Sequence, residues 1–313
     1  MSILVLGGSG LVGRALTDLL TKQKRAFLKP SSQELNLLNS CSVHDFFSSN
    51  RIDTVFFAAA RVGGVGANVN HPWPFIFENL EIQMNVFRAA LQMKVGRLIF
   101  LSSSAVYPEH SPLPHREESI LSGPFSSSVR PYAMAKVTAM ELIKWVNLQH
   151  KLQWISVIPS NVYGINDNFR IHESHVVAAT IRKIWEAKSA GRDFIEVWGN
   201  PSNERDFIFA NDLAEILLTL EEKYFDHEPI NVGPGIGTTI DRLTKVVSKV
   251  MNFQGDVFWN SNKPSGTSRK YLDNSKIRNL GIDNFTSLEV GVSLVNDWLK
   301  SESVDAFGKI RWK

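Results

Sequence analysis

The apolar run Ile3-Leu4-Val5-Leu6 passes without a break into Gly7-Gly8-Ser9-Gly10-Leu11-Val12-Gly13. Four aliphatic residues stopped by glycine predict a strand buried on both faces, and the segment from Leu11 predicts a helix. Glycine at every third position between them allows a tight turn and keeps side chains away from the space above it. A helix starting there aims free N–H groups and the positive end of its dipole into that space, which suits phosphate. A glycine-rich turn alone is weak evidence. Its place between strand and helix makes it a dinucleotide-binding fingerprint, with Gly7, Ser9, Gly10, Leu11, Val12 and Gly13 as the cradle.

The alternation continues down the chain. Residues 3–6, 26–28, 54–57, 98–101 and 154–158 read as strands, and 11–23, 74–94 and 131–149 as helices. Apolar strands alternating with helices predict the α/β class, with a Rossmann-type doubly wound parallel sheet. Such sheets bind ligands at the carboxyl ends of their strands. Ala58 and Ala59, Leu101 and Ser102, and Pro159, Asn161 and Val162 fall at those ends and are candidate cofactor-lining residues. Residues 1–165 are expected to form this dinucleotide-binding domain. After Tyr163-Gly164 the pattern loosens, with helices predicted at 175–190, 211–223 and 238–251 and a strand at 194–198. Residues 166–313 are expected to form a smaller α/β substrate domain, with one return to the first domain near 207–233. Segment 108–124 reads as a surface loop, and 252–266 as a mixture of turns and short apolar pieces.

Composition narrows the function. Hydrophobic residues at 43% and charged residues at 21% of 313 fit a globular chain with a substantial core. A net charge of +3 without a dense basic block argues against a nucleic-acid partner. No run approaches the roughly 18 apolar residues of a membrane span, and the short apolar start reads as a strand and not a signal peptide. Cys41 is alone, so no internal disulfide is expected, and a reducing, cytoplasmic compartment is. No metal site is expected.

The chemistry is carried by Ser103, Tyr132 and Lys136. Tyr132-Ala-Met-Ala-Lys136 puts a phenol and an ammonium four residues apart, on one face of a helix. Ser103 follows the apolar run that ends at Leu101. Reducing a ketone requires hydride at carbon and a proton at oxygen, and a bound nicotinamide carries the hydride. A free phenol, with a pKa near 10, is a poor partner at neutral pH, and a neighbouring ammonium lowers it. Lys136 is placed to do so and to bond the nicotinamide ribose. Ser103 is placed to polarise the carbonyl, and Asn161 to line the nicotinamide pocket. After the second strand the chain reads Phe27-Leu28-Lys29-Pro30. No acid is available for a ribose 2′-hydroxyl, whereas Lys29 suits a 2′-phosphate, with Arg14 a second candidate. The expected cofactor is therefore NADP(H).

These residues resemble the extended short-chain dehydrogenase/reductase family, and within it the branch of GDP-L-fucose synthases. The more specific marks are Ala58-Ala59-Ala60-Arg61-Val62-Gly63-Gly64, Glu34-Leu35-Asn36-Leu37-Leu38, Pro131-Tyr132-Ala133-Met134-Ala135-Lys136, Asp167-Asn168-Phe169, Ser174-His175-Val176, Val197-Trp198-Gly199 and Lys263-Pro264-x-Gly266-Thr267-x-Arg269-Lys270. The resemblance implies a GDP-sugar substrate and a homodimer formed through helices 74–94 and 131–149. Met84, Val86, Phe87, Leu91 and Met140 on those helices are open to a core or an interface role. It also implies that His175 is an acid/base residue and that Ser104, Asn161, Lys183, Trp198, Arg205 and Lys270 face substrate. Lys183 stands where the branch has arginine, which keeps the charge without the bidentate fork. Blander roles stay open: Trp198 in the core, Arg205 paired with Asp206, His175 capping a helix.

One departure weighs more than the matches. The branch reads Ser-Ser-Cys where this chain reads Ser103-Ser104-Ala105. That cysteine and the histidine form the epimerising pair. Inverting a carbon beside a ketone takes one proton off and returns another on the opposite face, and alanine does neither. Ser265 replaces an acid in the branch's Lys-Pro-Asp-Gly, which suggests altered sugar recognition. The expectation is a 4-ketoreductase of a GDP-4-keto-6-deoxy hexose or heptose, with 3,5-epimerase activity lost or weak. A bifunctional epimerase/reductase, a UDP-sugar 4-epimerase and a non-catalytic nucleotide-binding protein are the alternatives.

Overall fold

The computed structural model describes residues 2–170, 173–262 and 266–301. Lys263, Pro264 and Ser265 therefore lie outside the described residues. Six strands form one all-parallel sheet: β1 (Ile3–Leu6), β2 (Phe27–Leu28), β3 (Thr54–Phe57), β4 (Arg97–Leu101), β5 (Ile155–Pro159) and, after four strands given below, β10 (Ile230–Val232). Their order across the sheet is β10-β5-β4-β3-β1-β2. The helices of this half are α1 (Leu11–Lys22), α2 (Ser40–Ser49), α3 (Val65–Asn70), α4 (Pro72–Gln92) and α5 (Arg130–His150).

Why the sheet is doubly covered can be read from β1. Leu4 and Leu6 join Phe57, Phe100 and Trp154 in a core against α4 and α5. Ile3 and Val5 point the other way, to a core built with Leu16 and Leu20 of α1 and with Leu213 and Leu217. Burying each such Leu stabilises the fold by about 1.5–3 kcal/mol. Val86, Phe87 and Met140 belong to the first core, whereas Met84 is exposed, so the open choice for these residues divides.

The remaining elements are β6 (Asn161–Tyr163), α6 (Val176–Ser189), β7 (Phe194–Trp198), β8 (Glu204–Arg205), β9 (Phe207–Phe209), α7 (Ala210–Lys223), β11 (Thr238–Thr239), α8 (Ile240–Val250), β12 (Asp256–Asn260), β13 (Arg269–Lys270), α9 (Ser275–Asn279) and α10 (Leu288–Ser301). A third core joins Phe169, Ile181, Ile195, Leu243 and Val292. Helix α7 packs in the core that holds α1, and β10 pairs with β5 at the sheet edge. Residues 252–262 hold more order than expected, since β12 runs parallel to β7 over five residues. Segment 108–124 is a loop, but not wholly a surface one. His115 is buried and stacks on Tyr107, and the Glu117 carboxylate accepts from the Asn231 N–H at 2.8 Å.

Candidate active site

The cradle lies at the end of β1. Gly7 has φ +81°, and a Cβ there would stand 2.7 Å from the Ala59 nitrogen. A Cβ on Gly13 would stand 2.2 Å from the Gly7 carbonyl oxygen, so both positions exclude any side chain. Gly10 caps α1 without a side-chain bond, and the first turn of α1 has no acid. The helix thus offers its N–H groups and its dipole to an anion. Lys29 lies across Gly8, where an added Cβ would come within 2.2 Å of the lysine Cγ. Its stem packs on the cradle and its charge stays in water. Arg14 instead donates to Asn166 at 3.1 Å. These features fit a dinucleotide with an extra phosphate near Lys29.

Ser103, Tyr132 and Lys136 converge from two elements. Ser103 follows β4 and opens a short turn at Ser104–Val106, where its hydroxyl accepts from the Ala105 N–H at 3.2 Å. Tyr132 and Lys136 are one turn apart on α5, and the Lys136 ammonium sits 5.7 Å from the Tyr132 ring centre. Lys136 is buried and donates to the Leu101 carbonyl at 2.6 Å. Burial pushes the Tyr132 phenol up, while a hydrogen bond with Ser103 opposes it. Burial also brings Lys136 down to about 7. Sequence reasoning expected a phenol lowered by its lysine. The desolvation of both groups, invisible in the residue order, opposes that effect. Tyr132 is then a neutral phenol at neutral pH, the form that donates a proton. Asn161 is fixed nearby, its main-chain and side-chain N–H groups both donating to the Asp206 carbonyl at 2.9 and 3.0 Å.

The second half supplies charge. Parallel pairing of β8 with β13 sets Arg205 opposite Lys270. Burial and the Arg205 charge hold Lys270 at about 7, and burial lowers Arg205 to about 10. Among the described residues no carboxylate pairs with either. Two desolvated cations side by side make an anion site. Asp206 does not pair with Arg205; its carboxylate accepts from the Gly235 N–H at 3.1 Å. Water reaches His175, yet protein surrounds it, so it sits in a cleft. Desolvation and Lys270 keep its imidazole below the usual range. It occupies the N-cap position of α6 but makes no side-chain cap bond, so the capping role falls away. Trp198 is exposed and is not a core residue. Lys183 lies over its ring at 4.9 Å, and Glu196 accepts from its indole at 3.0 Å. Ser104 is buried in the turn that carries Ala105.

Two residues that sequence reasoning missed hold this site together. Asp206 organises the 233–237 turn, and the glycines at 233, 235 and 237 were its signal. Asn79 is buried on α4, where its side chain accepts from the Arg61 N–H and donates to the Arg61 and Phe75 carbonyls. Polar Asn79 and Gln83, four residues apart on a buried helix face, were its signal.

The decisive comparison is with whole families. The model for the NAD dependent epimerase/dehydratase family matches residues 3–233. The chain belongs to that family. Among its relatives in the family is a GDP-L-fucose synthase of Escherichia coli (strain K12), 37% identical, with 97% of this chain and 98% of the relative covered. A GDP-L-colitose synthase of Yersinia pseudotuberculosis is 33% identical over 96% of this chain and 99% of the relative. A solved structure of a GDP-mannoheptose C4 reductase from Campylobacter jejuni with NADP bound superposes with a TM-score of 0.86 at 28% identity, covering 96% of this chain and 98% of that one.

Proposed function

We propose that this epimerase/dehydratase-family protein is an NADPH-dependent reductase of the 4-keto group of a GDP-4-keto-6-deoxy sugar, hexose or heptose, with little or no 3,5-epimerase activity. The observation that carries this reading is an intact Ser103–Tyr132–Lys136 group beside an alanine, Ala105, that has no acid/base function. Relatives and neighbours named for GDP-fucose, GDP-colitose and GDP-heptose chemistry support the substrate class. Lys29 on the cradle supports NADP(H) over NAD(H).

Bound NADPH supplies the hydride. The protein's residues do the rest. Ser103 and Tyr132 hold the sugar carbonyl oxygen, and Tyr132 gives it a proton. The resulting phenolate is stabilised by the Lys136 ammonium, which the phenolate's own negative charge helps keep protonated. Arg205, Lys270 and Lys183 hold the diphosphate, and Trp198 offers an exposed aromatic face. His175, neutral near pH 7, is able to take a proton from carbon but returns it only to the face it left. Inversion needs a second group opposite, and Ala105 cannot be that group. A homodimer through α4 and α5 is part of this reading, supported by the exposed Trp73, Phe77, Trp145 and Leu148.

The test is incubation with NADPH or NADH and a panel of GDP-4-keto-6-deoxy sugars in deuterated water, supplied with and without prior epimerisation. Turnover with NADPH of the epimerised sugars, without deuterium at carbons 3 and 5, is the expected result. Inversion of fresh substrate at the rate of reduction would overturn the reading.

Lys270 gives this reading a pH signature. An anion binds the ammonium form, so the bound-state pKa lies above the free value of about 7. GDP affinity should be full below that value and fall about tenfold per pH unit as pH rises above it. Calorimetry in buffers of different ionisation enthalpy should show proton uptake on the alkaline side. Lys270→Met should flatten the profile, and a pH-independent Kd in the parent protein would remove Lys270 from the site.

A further inference from the structure

Tyr132 and His175 come from distant parts of the chain, and one short segment touches the surroundings of both. Residues 61–68 follow β3 and run into α3. On one side the segment is pinned to α4: Asn79 accepts from the Arg61 N–H at 2.9 Å and donates to the Arg61 carbonyl at 3.0 Å. The same face of α4 carries Phe75, whose ring meets Tyr132 edge-on at 6.3 Å between centres. An added Cβ on Gly63 would stand 3.1 Å from that Phe75 ring. On the other side the Gly64 N–H donates to the Glu173 carbonyl at 2.9 Å, two residues before His175. A Cβ on Gly64 would come within 2.9 Å of the Ser174 carbonyl oxygen, a backbone atom with no rotamer to escape into. Buried Asn68 closes the segment by donating to the Gly63 and Gly64 carbonyls at 3.0 and 3.1 Å.

We infer that residues 61–68 act as a strap that fixes the spacing between Tyr132 and His175, with Gly64 the positioning residue on the His175 side. This rests on the reading of Tyr132 and His175 as the groups that face the sugar. The φ of Gly64 is −63°, a value open to every residue. Glycine is therefore needed at position 64 for close approach alone. Replacing it moves Glu173, Ser174 and His175 by a few tenths of an ångström without disturbing the cradle at Gly7–Gly13.

The experiment is Gly64→Ala, with Asn68→Ala as a second variant that loosens the strap without adding volume. Three quantities are read: the NMR titration of His175, identified among the eight histidines by the signal missing in His175→Asn; kcat; and the Kd for NADPH. Charged neighbours of His175 are Lys270 from β13 and Glu173 beside it, whose carboxylate is held by Arg170 at 3.2 Å. Displacement from the protein groups around it and from Lys270 should raise the His175 midpoint towards the free value of about 6.5. With His175 facing the sugar, the shift should misplace the ketone against Tyr132 and lower kcat of reduction about ten- to a hundredfold. The NADPH Kd should not move. Unchanged titration and kcat in both variants overturn the inference, as does a parallel loss of NADPH affinity, which marks a merely structural role. Should Gly64→Ala fail to fold, Asn68→Ala decides by the same three readings. If the parent protein reduces no GDP-4-keto sugar, the functional reading fails separately, and the His175 titration still decides the strap.

Discussion

Tyr132→Phe should reduce ketone turnover by about 100- to 10,000-fold, the range a positioned general acid contributes. The variant removes one hydroxyl and keeps the ring that meets Phe75 at 6.3 Å, so the fold and the cofactor Kd should hold. The size of the loss follows from the environment. Burial keeps the phenol protonated, Ser103 shares a hydrogen bond with it, and Lys136 lies 5.7 Å from the ring centre, close enough to favour the anion left behind. Steady-state oxidation of NADPH, with the Kd measured by fluorescence, reads both effects. Full activity in the variant would sink the proposed chemistry.

Ala105→Cys should add an activity. The residue is partly buried in the Ser104–Val106 turn, directly after Ser104 and on the side of the site where Ser103 stands. A thiol there gives the site a second proton-handling group to act with His175. Deuterium uptake at carbons 3 and 5 of an unreduced GDP-4-keto-6-deoxy sugar should rise by about 100-fold or more. Reduction of pre-epimerised sugar should continue, since Ser103, Tyr132 and Lys136 are untouched. If exchange is already fast in the parent protein and the thiol adds nothing, the epimerising base lies elsewhere and the 4-reductase-only reading fails.

Much of this fold was legible because its signals are local. Strands β1, β3, β4 and β5 are mostly apolar runs buried on both faces, and Tyr132 and Lys136 share a helix face by spacing alone. Helix α2 was missed because Ser40-Cys41-Ser42-Val43-His44-Asp45-Phe46-Phe47 buries only Val43 and Phe47, although Asn39 caps it by accepting from the Ser42 N–H. Helix α10 was also missed, although its buried residues at 292, 295 and 299 have helical spacing. The pairing of Arg205 with Lys270 was not legible at all. It depends on the register of two strands only two residues long, 65 positions apart, and no local pattern announces such strands. The proton balance at Tyr132 has a second component that the residue order does not show. Residue order names the neighbours of a phenol but does not measure the water removed from it.

The register that sets Arg205 opposite Lys270 has a mechanical meaning. Two like charges held side by side repel each other, a cost borne by the ribbon that carries them. A dianion bound between them would offset that repulsion. By linkage, whatever tightens its hold on the anion also steadies the short ladder of β8 and β13, and the reverse. A nucleotide sugar would then be more than cargo in this protein: while bound, it would act as one of the fasteners of the architecture.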